Sequence, residues 1–190
     1  MFIWGNEHMK KIIILAVSLL ITASVFAQDG IIAWSTYKDT NSGGSSTANI
    51  VTEEKTISGV KYTGVTTWSG TVTTDFQYGF AGMNATVTPE FLAGLKSAKG
   101  IRIWVSGDGK NYNCRIETND RPDYCFHQFS FNAPVGSVKQ YDIMFTRLKQ
   151  ESWGVKKNFN PNNITQISFQ TIGQPIPSYK LHLIKIELIK

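Results

Sequence analysis

Trp104, Tyr124 and Phe126 fall in the same phase of a period-two pattern as Asn113, Arg115 and Gln128. Flat rings set among side chains that donate and accept hydrogen bonds suit one class of ligand well. A sugar packs its C–H face on an aromatic plane, and its hydroxyls need partners at the ring edge. The same rings would also serve to cover a second small core or a long loop. Hydrolysis of a glycoside needs two carboxylates flanking the scissile bond. Asp108, Glu117, Asp120, Asp123 and Asp142 are present, but no spacing among them selects a pair. Asp108 and Asp120 stand in turn clusters, where aspartate serves the backbone. His127 and His182 have no serine elbow or cysteine partner in sequence to join. The pattern points to binding without catalysis, so the chain is read as a non-enzyme.

The elements that must position these residues lie within residues 100–131. Ile101, Ile103 and Val105 alternate with Arg102, Trp104 and Ser106; a Gly107-Asp108-Gly109 turn follows. Tyr112, Cys114 and Ile116 then alternate with Asn113, Arg115 and Glu117. After residues 119–123, Cys125, His127, Phe129 and Phe131 alternate with Tyr124, Phe126, Gln128 and Ser130. Alternation bounded by Gly, Asp, Asn and Pro predicts half-buried antiparallel strands joined as hairpins. One face enters a core and the other carries the rings and polar groups.

Further strands are expected at 28–35, as two short strands within 50–65 turning at Ser58-Gly59, and at 78–83, 137–146, 164–171 and 180–189. Residues 66–74 read as strand or loop. The glycines of 78–83 permit close packing. Residues 89–99 are the one helix-like segment, with Phe91, Leu92 and Leu95 inward and Gly100 as its stop. Residues 38–48 read as a polar loop at a binding edge, and 147–159 as a long loop carrying Trp153. Trp34, Trp68 and Trp153 read as rim or packing residues. So many short strands with a single helical turn predict an all-β, two-sheet antiparallel sandwich.

Lys10-Lys11, the apolar run Ile12 to Ile21 and the small-residue pattern Val25-Phe26-Ala27 form a secretory leader. It spans residues 1–27, starts at Met9 with 1–8 as an upstream start, and is cleaved before Gln28. The apolar run is too short for a membrane anchor. Residues 28–190 then form one domain, exported to the periplasm or beyond and with no membrane insertion after cleavage. A net charge of +5 over 190 residues, without a basic run, argues against a nucleic-acid surface. Cys114 and Cys125 are the only cysteines. Their shared inward phase permits a bridge across the hairpin, with a stabilisation of about 2–3 kcal/mol, and two packed thiols are the alternative.

With these residues placed, a resemblance is visible. YGFAGM at 78–83, KGIRIWVSGDGKNYNCRIET at 99–118, DYCFHQFSFNAP at 123–134, SWG at 152–154 and the ITQISFQT strand follow one another in order. Their order and spacing resemble the family 11 carbohydrate-binding modules and the related complex I intermediate-associated protein family. The resemblance implies a galactose-binding-like jelly roll whose concave sheet holds a β-glucan chain against aromatic rings. Asp142, Gln166, Ser168 and Gln170 then extend the face of Trp104, Asn113, Arg115, Tyr124, Phe126 and Gln128. It also implies a structural calcium away from the sugar, with Asp29 and Glu187 as the nearby ligands. Lys185 stands where the family carries acidic residues. The partner expected is a polysaccharide or oligosaccharide; the other reading is an envelope module that binds a protein partner on the same face.

Overall fold

The computed structural model describes residues 30–190; the leader expected at 1–27 and Asp29 lie outside the described residues. Among the described residues ten strands form two antiparallel sheets. In chain order they are β1 (Ile31–Lys38), β2 (Thr47–Ile57), β3 (Val60–Val72), β4 (Ala81–Val87), β5 (Gly100–Gly107), β6 (Asn111–Thr118), β7 (His127–Asn132), β8 (Lys139–Met144), β9 (Ile164–Thr171) and β10 (Ile176–Ile189). One helix, α1 (Pro89–Ser97), connects β4 to β5. The first sheet runs β1-β4-β9-β6-β7 and the second β2-β3-β10-β5-β8.

The core between the sheets is filled by the inward phase of each strand. Cys114, Ile116, Ile167 and Phe169 from the first sheet meet Trp68, Ile101, Ile103, Val105, Leu181 and Leu183 from the second. Trp68 is fully buried, 4.7 Å from the Tyr179 ring and 5.8 Å from that of Tyr112. Alternation puts every second side chain into this layer and leaves the intervening ones on the outer faces. Trp34 also points inward, 5.7 Å from Phe169, while Trp153 is exposed.

The helix forms where expected. The Thr88 hydroxyl accepts from the Phe91 N–H at 3.2 Å, Pro89 sits at the first turn, and Phe91 and Leu95 are buried. Residues 39–46 are not an open binding edge. They wrap the buried Asp39 carboxylate, which accepts from Ser46 N, Ser46 Oγ and Phe80 N at 3.1, 2.6 and 3.4 Å.

One connection corrects the hairpin expected between residues 101 and 116. β5 and β6 do not pair; they belong to different sheets. The Gly107-Asp108-Gly109 segment crosses from one to the other. Gly107 N–H and Gly109 N–H donate to Pro134 and Ala133 carbonyls, and a Cβ at Gly107 would collide with the Lys180 carbonyl. Asp108 pins the corner by accepting from Lys110 N, Tyr112 Oη and Lys180 N at 3.1, 3.0 and 2.9 Å. Glycine and aspartate mark a turn in sequence, and a sheet-crossing corner needs the same two residues as a hairpin does.

Candidate functional site

The outer face of the first sheet is a polar surface built row by row. Register carries Tyr37 to Gly82, Gly82 to Gln170, Gln170 to Asn113 and Asn113 to Ser130, one residue from each of five strands. The next row is Ser35, Asn84, Ser168, Arg115 and Gln128. Glu117 and Gln166 face each other in a third. Every position has a hydrogen-bonding side chain except Gly82, where a Cβ would overlap the Tyr37 ring. The missing side chain lets that ring lie across the sheet.

Tyr37 Oη lies 3.3 Å from Gln170 Oε1 and 3.4 Å from the Phe169 carbonyl. Burial pushes its hydroxyl up to about 12, against the opposing charge of Arg115. Ser130 Oγ donates to Asn113 Oδ1 at 2.6 Å, and Ser168 Oγ donates to Glu117 Oε1 at 2.5 Å. Arg115 Nε donates to Gln128 Oε1 at 3.2 Å, and Gln128 Nε2 donates to Glu151 Oε1 at 2.5 Å. Burial pulls the Arg115 guanidinium below its ordinary value, opposed by Tyr37, Glu117 and Glu151. Two guanidinium groups lie over the Phe126 ring, Arg115 at 4.3 Å and Arg121 at 3.9 Å. Asn84 Oδ1 is buried and finds no hydrogen-bond partner among the described residues, leaving an acceptor on the face.

The loop after β8 closes one side. Gln128 and Lys149 exchange backbone hydrogen bonds of 2.9 Å in each direction, extending the β7 edge by a single bridge. Both carboxylates on this face are engaged in holding other side chains, Glu117 with Ser168 and Arg121, Glu151 with Gln128. The arrangement offers donors, acceptors and a ring, which suits recognition of a hydroxyl-rich chain. A separate hollow bordered by Ile31, Trp34, Ile50 and Thr66 lies at the seam between the sheet edges, away from these rows.

Of the residues expected on one face, the structure brings together Asn113, Arg115, Gln128, Gln166, Ser168 and Gln170. Phe126 joins them from a loop, because the chain enters β7 only at His127. Tyr124 lies beyond the sheet end and is exposed. Trp104 and Asp142 are corrections: both project from the outer face of the second sheet. The tip of the β2–β3 hairpin curls over that face. Ile57, Val65 and Ile184 are buried there, with Tyr62, Trp104 and Val138 packed around them. Ser58 Oγ on the tip donates to the Gly136 carbonyl at 2.5 Å. Asp142 pairs with Arg102 through contacts of 2.6 and 2.7 Å.

The cysteine bridge is a second correction. Both cysteines are free and buried. Register sets Cys114 against Phe129, and Cys125 precedes β7, its Sγ donating to the Trp153 carbonyl at 3.0 Å. The calcium expectation does not fit Glu187 either. Its carboxylate pairs with Lys185 and stands opposite Arg102, a cationic setting. No group of three or more acidic, histidine or cysteine side chains suited to a metal occurs among the described residues. Sequence reasoning missed Tyr37, Gly82 and Asn84. Extending the alternation of Ala33 and Ser35 two residues further would have found Tyr37.

The sequence model of the family described as complex I intermediate-associated protein 30 (CIA30) matches residues 24–183. No curated protein sequence matches. Among solved structures, the family 11 carbohydrate-binding module of the cellulosomal cellulase Lic26A-Cel5E of Clostridium thermocellum aligns with a TM-score of 0.57 at 20% identity, over 88% of this chain and 96% of that one. A family 11 module from Clostridium thermocellum in complex with a β-1,3-1,4-mixed-linked tetrasaccharide aligns with a TM-score of 0.55 at 18% identity, over 88% and 97%. An exo-β-agarase aligns with a TM-score of 0.50 at 12% identity, over 88% of this chain and 25% of that enzyme. The architecture is therefore the jelly-roll sandwich of these modules.

Proposed function

Given that the chain belongs to the complex I intermediate-associated protein 30 family, we propose that the outer face of its β1-β4-β9-β6-β7 sheet binds a β-linked glucan chain without cleaving it. The observation that carries this reading is the set of two hydrogen-bonding rows crossing all five strands, with the Tyr37 ring laid over Gly82. Tyr37 supplies the stacking plane; the half-buried Arg115 and Gln170 supply edge partners, held in place by the buried Asn113 and Gln128. The fold shared with modules of family 11, one of them in complex with a mixed-linked tetrasaccharide, supports the choice of a β-glucan. Engagement of Glu117 and Glu151 in holding neighbours supports binding over hydrolysis.

An open face gives up little water per ring and must order a flexible polymer. Binding of about −4 to −7 kcal/mol follows, a dissociation constant from about millimolar to ten micromolar. The leader pattern supports export to the periplasm or beyond as the setting of this activity, and no helix among the described residues is long and apolar enough to cross a membrane.

One observation favours a second reading. Ser168, Asn113 and Gln128 are buried and hydrogen-bonded within the protein, which leaves fewer groups for sugar hydroxyls and suits an envelope module whose face meets a protein partner by shape instead. Affinity electrophoresis with barley glucan, lichenan, xylan and cellulose separates the two. Retardation by the mixed-linkage glucans is the expected result; free migration in all four supports the protein-binding role.

A further inference from the structure

The polar face does not end with the last row, at the end of β6. We propose that the ligand site continues past Thr118 into an open depression where Tyr124 is a second stacking platform and Arg121 and Asp123 are its edge partners. The ligand would then be an oligosaccharide lying along the strands, longer than a sugar held at Tyr37 alone. This deepens the glycan reading and rests on it.

Four observations carry the extension. The depression has a volume of about 450 Å³ and is bordered by Thr118, Asn119, Arg121, Asp123, Tyr124 and Thr165. Its lining is hydroxyl, amide, guanidinium and carboxylate with one aromatic ring and the Pro122 ring, a composition that suits a sugar subsite. Tyr124 is 74% exposed, the largest fraction among the exposed large hydrophobic side chains of the described residues. The ring touches Phe126 at 6.4 Å between centroids and leaves most of its surface to solvent, where a ligand can reach it.

Arg121 joins this depression to the sheet face. Its guanidinium lies 5.8 Å from the Tyr124 ring and 3.9 Å from the Phe126 ring, and 3.7 Å separates it from Glu117. Glu117 in turn holds Ser168 in the second row. Arg121 Nη1 donates to the Asp123 carbonyl at 2.5 Å, but Nε is buried with no partner among the described residues. The part of the guanidinium that remains exposed, about a quarter of the side chain, is what a ligand acceptor can meet. Asp123 accepts from Cys125 N and Val155 N at 2.8 Å each, one on each carboxylate oxygen, which leaves lone pairs on both. Those backbone bonds, Val155 first, hold its carboxyl below the ordinary range and keep it an acceptor.

The geometry sets a length. From Asn113, level with Tyr37, to Thr118 at the edge of the depression the strand rises roughly 17 Å, at about 3.4 Å per residue. A monosaccharide cannot touch both platforms, and an extended oligosaccharide can.

Titration calorimetry with mixed-linkage gluco-oligosaccharides of increasing length tests this on the mature chain. Affinity should climb with length until the chain reaches Tyr124. Tyr124→Ala should remove that increment, about tenfold for long oligosaccharides, and leave short ones unchanged; Tyr124→Phe should keep it. Equal affinity of the wild type for short and long oligosaccharides, or a Tyr124→Ala protein that binds long ones as the wild type does, overturns the extension while the glycan reading stands. A wild type that binds none of them overturns both.

Discussion

The outer faces of the two sheets carry the same ingredients and put them to different uses. On the second sheet Trp104 sits with Lys185 at 5.2 Å and Arg102 at 5.9 Å from its ring. On the first, Phe126 sits with Arg115 and Arg121, and Tyr37 lies over a glycine. A ring beside a cation therefore says little by itself. What separates the faces is what covers them. The β2–β3 hairpin folds its tip over Trp104 and closes a small satellite core with Ile57, Val65 and Ile184. Among the described residues no hairpin folds over the rows of Tyr37 and Arg115. Trp104, half-buried, packs against that satellite core, whereas the half-buried Tyr37 ring lies on a hydrogen-bonding floor beside the buried Phe126.

Substitutions can break that contrast. The largest effect on stability is expected for Trp104→Ala, which removes the half-buried ring packed against the satellite core and should lower unfolding free energy by about 2–3 kcal/mol. Urea unfolding measures it, and glucan binding should not change. Gly82→Ala should act the other way round. The added Cβ overlaps the Tyr37 ring and must displace it. Affinity should fall about tenfold, about 1.4 kcal/mol, with a smaller change in melting temperature.

A pH series sharpens the account of Tyr37. Its hydroxyl is raised from 10.0 to about 12 by burial. The unfolded chain gives up the proton near its ordinary value, and the folded protein keeps it until higher pH. Stability held below pH 10 is therefore lost progressively as pH rises towards 12. Tyr112 and Tyr179 are raised by burial as well, so Tyr37→Phe should flatten only part of the loss in urea unfolding across that range. The smallest effect is a null one. Thiol counting on denatured, unreduced protein should give two free thiols per chain, as the separate environments of Cys114 and Cys125 require. A count of zero would restore the bridge.

The division between the faces was only half legible in the sequence. The strands at 101–106 and 112–117, the helix-like segment at 89–99 and the inward phase of Ile101, Cys114 and Ile116 all follow from local periodicity and turn chemistry. The sheet each strand joins does not. Trp104 and Arg115 alternate in the same way, and only the corner at Asp108, through its bonds to Tyr112 and Lys180, sends β6 away from β5. Such long-range pairings leave no periodic trace. Phe126 and Tyr124 were read as strand because the alternation runs on through them. Pro122 interrupts that segment, and the Asp123 carboxylate draws in the backbone N–H groups of Cys125 and Val155. The cysteine pairing failed for the same reason, since register depends on where the strand begins.

The central claim is that recognition belongs to the Tyr37 face and not to the Trp104 face. Affinity electrophoresis in mixed-linkage β-glucan, comparing wild type, Tyr37→Ala and Trp104→Ala, tests it most directly. The account predicts retarded migration for the wild type and Trp104→Ala, and free migration for a folded Tyr37→Ala. Retention of Tyr37→Ala together with free migration of a folded Trp104→Ala would contradict it.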